Sequence, residues 1–142
     1  MIAVLDANVA VRWFVDLPHK RQARAIVESG QTLLAPDLLI AEVGNTLWRY
    51  VKAGDYELEH ATASMAALPS FFTEIVSAVS LSMEALRMAK SLDHSVYDCL
   101  YAVLAVERRA AFITDDRRFA EKLRVSRRLS NVKLLDEIRL PL

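Results

Sequence analysis

The stretch Ile2-Ala3-Val4-Leu5-Asp6-Ala7-Asn8 decides the architecture. Four consecutive apolar residues, two of them β-branched, show no alternation between a wet and a dry face. Such a run fits a strand buried on both sides, as in a parallel sheet covered by helices. The run stops at Asp6 and Asn8, residue types favoured where a strand turns into a helix. Open parallel sheets bind their ligands at the carboxyl ends of the strands, where strand order reverses. Asp6 therefore both ends the strand and stands first among the candidate site residues.

Outward from this strand the same alternation continues. A helix is expected from Asn8 to Phe14, and another opened by Pro18 and closed by Gly30. Thr32 to Ala35 reads as the second strand. Pro36-Asp37 starts a long helix with the stripe Leu39, Val43, Leu47 and Val51, ended by Gly54. Gly44 inside it costs about 1 kcal/mol against Ala unless close packing requires it. Asp55 looks like the cap of the next helix, which Pro69 breaks. Phe71 to Val76 is the third strand, weakened by Thr73 and Glu74. Helices then run from Ser82 to Ser91 and from Ser95 to Arg108. Ala111 to Thr114 is the fourth strand, Asp116 to Arg124 a helix, and Val132 to Leu135 the fifth strand. Strands alternating with helices imply βαβ units and an α/β fold with a parallel sheet.

The 142 residues, 54% apolar and 25% charged, with three glycines and four prolines, leave little for linkers and indicate one domain over 1–142. The net charge is zero, so affinity for nucleic acid has to come from a local patch. Cys99 stands alone, which excludes an internal disulfide and fits a reducing compartment. No basic segment precedes the first apolar run, which Asp6 interrupts early, so no signal peptide is read there. No apolar run is long enough to span a membrane. A soluble cytoplasmic protein is expected. His19, His60, His94 and Cys99 have no zinc-ligand spacing and read as surface or packing residues.

Each candidate acid also has a plain structural reading. Asp6 and Asn8 suit a turn or cap. Ser95-Val96-Tyr97-Asp98 matches a capping box, and either Asp115 or Asp116 suits the cap of the following helix. Glu42 fits its plain reading worst. It borders the stripe at Val43, and positions 38, 39, 45 and 46 hold no Lys or Arg to pair with it. A partly buried glutamate without a cation costs free energy unless something neutralises it. Topology then gathers the acids. Asp6 and Asp116 follow strand ends, Asp98 lies in the first turn of a helix leading into the fourth strand, and Glu42 lies on the helix leaving the second strand. Glu42 is about 9 Å along its helix at 1.5 Å per residue, so its placement is the least forced. Four acids at one sheet edge fit a hard divalent cation, Mg²⁺ or Mn²⁺, and hence phosphodiester hydrolysis.

These residues also resemble a known family. Val4-Leu5-Asp6-Ala7-Asn8-Val9 is similar to the first motif of PIN-domain nucleases. Pro36 to Asn45, with Glu42 three residues before Asn45, resembles the second, and Tyr97-Asp98-Cys99-Leu100-Tyr101-Ala102-Val103-Leu104-Ala105 the third. Phe112-Ile113-Thr114-Asp115-Asp116-Arg117-Arg118-Phe119 resembles the last, Thr-x-Asp-x-x-Phe. All four stand in family order, and the likeness is strongest to VapC-type toxins. It implies a five-stranded parallel sheet in order 3-2-1-4-5 flanked by helices, with strands 1 and 4 adjacent. It implies an endoribonuclease toxin of a type II pair, with an RNA substrate, a cognate antitoxin, a homodimer and Mg²⁺ or Mn²⁺. It implies that Asp6, Glu42, Asp98 and Asp116 are the catalytic and metal-binding residues, supported by Asn8 and Thr114. The Thr-x-Asp register favours Asp116, and Asp115 beside it shares the supporting role. An activated water attacks the phosphate, leaving a 5′-phosphate and a 3′-hydroxyl, with no covalent nucleophile.

The segment from Arg117 to Arg128 holds six cations against Glu121 alone. It reads either as a solvated helix face or as a phosphate grip, with Arg117, Arg118 and Arg124 the candidate RNA contacts. Trp13, Trp48 and Tyr50 read as core or interface residues. Two other functions compete. A haloacid-dehalogenase-like phosphatase needs a second acid where Asn8 stands, and a late lysine. A catalytically inactive PIN-like binding protein has no need of four intact acids.

Overall fold

The computed structural model describes residues 1–142. Five parallel strands form one sheet: β1 (Ile2–Leu5), β2 (Thr32–Pro36), β3 (Glu74–Val76), β4 (Ala111–Thr114) and β5 (Val132–Leu134), in order β3-β2-β1-β4-β5. β1 is central, and its register pairs Val4 with Leu34 on one side and with Phe112 on the other. Ala3, Val4 and Leu5 are wholly buried, as a continuous apolar run between two helical layers requires. Seven helices flank the sheet: α1 (Ala7–Ala10), α2 (Lys20–Glu28), α3 (Leu38–Lys52), α4 (Leu58–Ala67), α5 (Ala78–Leu92), α6 (Val96–Arg108) and α7 (Arg117–Ser126). A single cluster of 43 buried apolar residues runs from Ala3 to Ile138.

The expected stripe on α3 is largely the observed one: Leu39, Val43 and Leu47 are buried and Val51 half-buried. Gly44 lets the Met65 methyl of α4 come close, since a Cβ there would lie 3.2 Å from Met65 Cε. Trp13 is buried, its indole donating to the Ala23 carbonyl at 2.9 Å. Tyr50 packs half-buried against the core, whereas Trp48 lies 55% exposed.

Four boundaries differ from expectation. The first helix is one α-turn, followed by a 3₁₀ turn over Val11–Trp13. Asp55 does not cap α4. Its N–H donates to the Tyr50 carbonyl at 2.9 Å, finishing α3 after Gly54, whose φ of +82° suits a residue without a Cβ. α4 then starts at Leu58. β3 is shorter than expected because Leu68–Phe71 forms a 3₁₀ turn, and Phe71 and Phe72 pack on the Trp13 ring at centroid distances of 5.0 and 5.5 Å. α5 begins at Ala78, four residues early, because Ser77 Oγ accepts the Val79 N–H and Asp37 Oδ1 accepts the Ala78 N–H. Two free helix N–H groups are thereby satisfied.

Candidate active site

β1 and β4 are neighbours, and the strand order reverses between them. At their carboxyl ends opens a cleft of about 630 Å³, lined by Asp6, Glu42, Asp98, Asp115 and Asp116 together with Asn8, Arg12, Asn45, Arg49 and Tyr97. All four principal acids line this one cleft.

Each is fixed differently. Asp6 ends β1, its backbone N–H bonded to the Ile113 carbonyl at 3.0 Å and its side chain all but covered. Thr114 Oγ1 donates to Asp6 Oδ2 at 2.7 Å, and Asn8 Nδ2 reaches the same oxygen at 3.4 Å. Asn8 and Thr114 thus stand where support for Asp6 was expected. Asp6 is at the amino end of α1 but makes no side-chain cap there. Burial pushes its pKa up to about 7; the Thr114 hydrogen bond opposes the rise, and the charges of Asp98 and Glu42 add to it.

Glu42 lies half-buried on α3, and the Tyr101 hydroxyl of α6 donates to its Oε1 at 2.6 Å. Burial raises its pKa, Tyr101 lowers it, and Asp98 raises it. The Tyr101 phenol is driven upward by burial and then by the charges of Asp6 and Glu42, so it remains a hydrogen-bond donor at neutral pH. Asp98 sits in the first turn of α6, whose cap Ser95 accepts the Asp98 N–H at 3.3 Å. The reciprocal half of the capping box is not made. Asp98 Oδ2 lies 2.6 Å from His94 Nε2 instead. Asp116 caps α7, Oδ1 accepting the Phe119 N–H at 3.0 Å.

A pattern emerges from these contacts. Each acid gives one oxygen to an internal donor, while Glu42 Oε2, Asp98 Oδ1 and Asp116 Oδ2 meet no protein donor. Ligand atoms of His94, Asp98 and Asp116 lie within 4.8 Å of one another. Carboxylates held on one side, open on the other and short of neutralising charge suit a hard divalent cation such as Mg²⁺ or Mn²⁺.

Asp115 is placed otherwise. Its carboxylate pairs with Arg12 Nη2 at 2.7 Å, and its N–H donates to Asn8 Oδ1 at 3.0 Å. Arg12 is buried, its Nε bonded to the Pro18 carbonyl at 2.7 Å and its Nη1 to the Asn8 carbonyl. The basic segment does not line the cleft. Arg117 pairs with Asp136 at 2.6 Å, and Arg124 with Glu137 at 2.8 Å and the Val132 carbonyl at 2.7 Å. Of the three arginines expected to contact RNA, Arg118 alone carries no ion pair.

Three residues of the site escaped the sequence reading. Tyr101 lies three residues beyond Asp98 on α6, a spacing that puts the two on neighbouring positions of one helix face. Arg12 follows Asn8 by four, a spacing that signals a shared helix face. His94 reads from the sequence as a surface or packing residue; its signal is a histidine just before a helix cap, four residues ahead of an acid. No lysine lines the cleft, as a haloacid-dehalogenase-like phosphatase needs.

Comparison with known proteins agrees with this geometry. Ribonuclease VapC3 of Pyrobaculum aerophilum is 30% identical over 124 residues, covering 86% of this chain and 95% of the relative. Among solved structures, PAE2754 from Pyrobaculum aerophilum superposes with a TM-score of 0.73 at 20% identity, covering 96% of this chain and 85% of the other. A toxin–antitoxin complex from Klebsiella pneumoniae matches with a TM-score of 0.69 at 19% identity over 96% of this chain and 99% of the other. The pattern that describes the PIN domain matches residues 3–124, and with the sheet order and the 30% identical relative this establishes that the chain belongs to the PIN domain family.

Proposed function

We propose that this protein is a divalent-metal-dependent endoribonuclease, one domain over residues 1–142, acting as the toxin of a type II toxin–antitoxin pair. One observation carries the reading: four carboxylates share a cleft, each with one oxygen held, and no uncommitted cation other than Arg49 lines it. The ribonuclease named as its 30% identical relative supports RNA as substrate, and the Klebsiella pneumoniae complex supports an antitoxin partner. The lone buried Cys99 fits a reducing cytoplasm.

Asp6, Glu42, Asp98 and Asp116 are the residues that would hold Mg²⁺ or Mn²⁺. When bound, the ion supplies positive charge at the scissile phosphate and lowers the pKa of water there. The protein supplies position. Thr114 and Asn8 fix Asp6, Tyr101 fixes Glu42, and the Phe119 N–H fixes Asp116. No serine, cysteine or lysine lines the cleft to act as a covalent nucleophile, and the family resemblance implies 5′-phosphate and 3′-hydroxyl ends. Arg12 is committed to Asp115, which leaves Arg49 to meet a substrate phosphate. It lies seven residues beyond Glu42 on α3, about 10 Å along the helix. Arg118 is a second phosphate contact outside the cleft, while Arg117 and Arg124 tie α7 to the C-terminal segment.

The protein acts as a homodimer. On α5, Val79, Met83 and Leu86 are 85%, 69% and 62% exposed and recur at four- and three-residue spacing, an apolar stripe that a second copy would cover.

Incubation with structured RNA and with an aryl phosphate, in Mn²⁺ or in chelator, tests the function. RNA cleavage in Mn²⁺ alone, with the aryl phosphate untouched, is expected. Hydrolysis of the aryl phosphate returns the phosphatase reading, and no reaction with either returns the inactive binding protein.

A further inference from the structure

His94 is the middle of the three residues between α5 and α6. Asp93 ends α5 in the left-handed conformation at φ 50°, and the His94 N–H donates to the Ala89 carbonyl at 3.1 Å. The chain is thus fixed on the near side of the imidazole. Its ring is fixed on the far side, stacked on Phe119 with centroids 4.3 Å apart and planes 17° from parallel. The side chain is 12% exposed, and Nε2 lies 2.6 Å from Asp98 Oδ2. A carboxylate only accepts, so Nε2 carries the hydrogen.

Phe119 is also the residue whose N–H holds Asp116. The imidazole therefore joins the amino ends of α6 and α7. It rests on the ring of the residue that orients Asp116, and it donates to Asp98. A merely structural Asp98 would complete the capping box with Ser95, an option the sequence offers and the side chain does not take.

We propose that His94 is a positioning residue for the candidate metal centre: its Nε2–H, aimed by the stack of the ring on Phe119, holds one oxygen of Asp98 and leaves Oδ1 for the divalent cation. This rests on the metal reading of the cleft. Hydrogen-bonded partners of metal ligands change affinity about 10–100-fold when removed.

Two substitutions separate donor from packing. His94→Phe keeps the stack and removes the donor; His94→Gln keeps a donor and removes the stack. Mn²⁺ titration calorimetry on the metal-stripped full chain reads binding directly, with thermal melting in chelator as the check on folding. His94→Phe should bind Mn²⁺ at least about 10-fold more weakly than wild type, and His94→Gln should restore most of that affinity. If the phenyl ring prevents folding, His94→Leu removes the donor and the stack together, and its difference from His94→Gln, which lacks only the stack, isolates the donor. Wild-type affinity in His94→Phe overturns the proposal, because the ring then only packs. Equal weakness in both variants also overturns it, because the imidazole is then required for more than its donor. Failure of wild type to bind Mn²⁺ at all rejects the metal reading and this inference with it.

Discussion

Asp6 is the most deeply buried of the four carboxylates, and burial sets a charge cost on it. Its folded-state pKa of about 7 stands above the ordinary value of 3.8, so the unfolded chain releases this proton at lower pH than the folded one. Stability of the metal-free protein is intact with respect to Asp6 below about pH 4 and is lost as pH rises toward 7. Asp6→Asn should therefore melt higher than wild type in chelator at pH 8, by about 1–2 kcal/mol, the range of common stabilising substitutions. The gap should narrow as pH falls toward 4; a gap independent of pH in thermal melts would show that Asp6 does not carry the charge cost. The neighbouring acids test placement. Asp116→Asn should abolish cleavage, whereas Asp115→Asn should retain much of it while lowering the melting temperature, since Arg12 loses its buried partner. Equal loss of cleavage in both would assign Asp115 to the site. Asp6, Asp116 and Glu42 are legible because each stands at a strand end or beside an apolar stripe, where its charge needs a reason; Asp98, in the first turn of α6, joins them only through the topology. Arg12 was not, because its partner Asp115 is 103 residues away.

Among the elements, legibility followed apolar continuity and local caps. β1, β4 and the stripe of α3 rest on their own residues and were read correctly. The starts of α4 and α5 and the length of β3 were not, because distant groups decide them. Asp37 caps α5 from 41 residues away, and Trp13 takes Phe71 and Phe72 out of the strand. The basic segment shows the same limit. Its charges were visible, but Asp136 and Glu137, which engage Arg117 and Arg124, lie beyond it. Arg124→Gln should accordingly lower the melting temperature and leave RNA affinity nearly unchanged. Arg49→Gln and Arg118→Gln should weaken RNA binding and each reduce the salt-dependence slope by roughly one contact's worth, about 0.7 on single strands. A flat response in both, with loss in Arg124→Gln, would move the RNA path onto α7.

At the scale of the molecule, the exposed stripe on α5 sets the expectation for assembly. Met83→Asp should convert a homodimer into a monomer in light scattering without changing the melting of the fold, and an unchanged mass would place the dimer contact elsewhere. No helix is long and apolar enough to cross a membrane. The sheet order could be read from sequence only through the resemblance, since alternating strands and helices fix parallel pairing but not which strands are neighbours. That order brings Asp6 to Asp116, and on it the function depends. The most direct measurement is cleavage of an end-labelled structured RNA as Mn²⁺ is titrated from chelator upward, for wild type and Asp116→Asn side by side. Wild type should be silent in chelator and gain activity with Mn²⁺, with Asp116→Asn silent throughout. Cleavage by wild type that persists in chelator, or equal cleavage by the two proteins, would contradict a carboxylate-held metal centre.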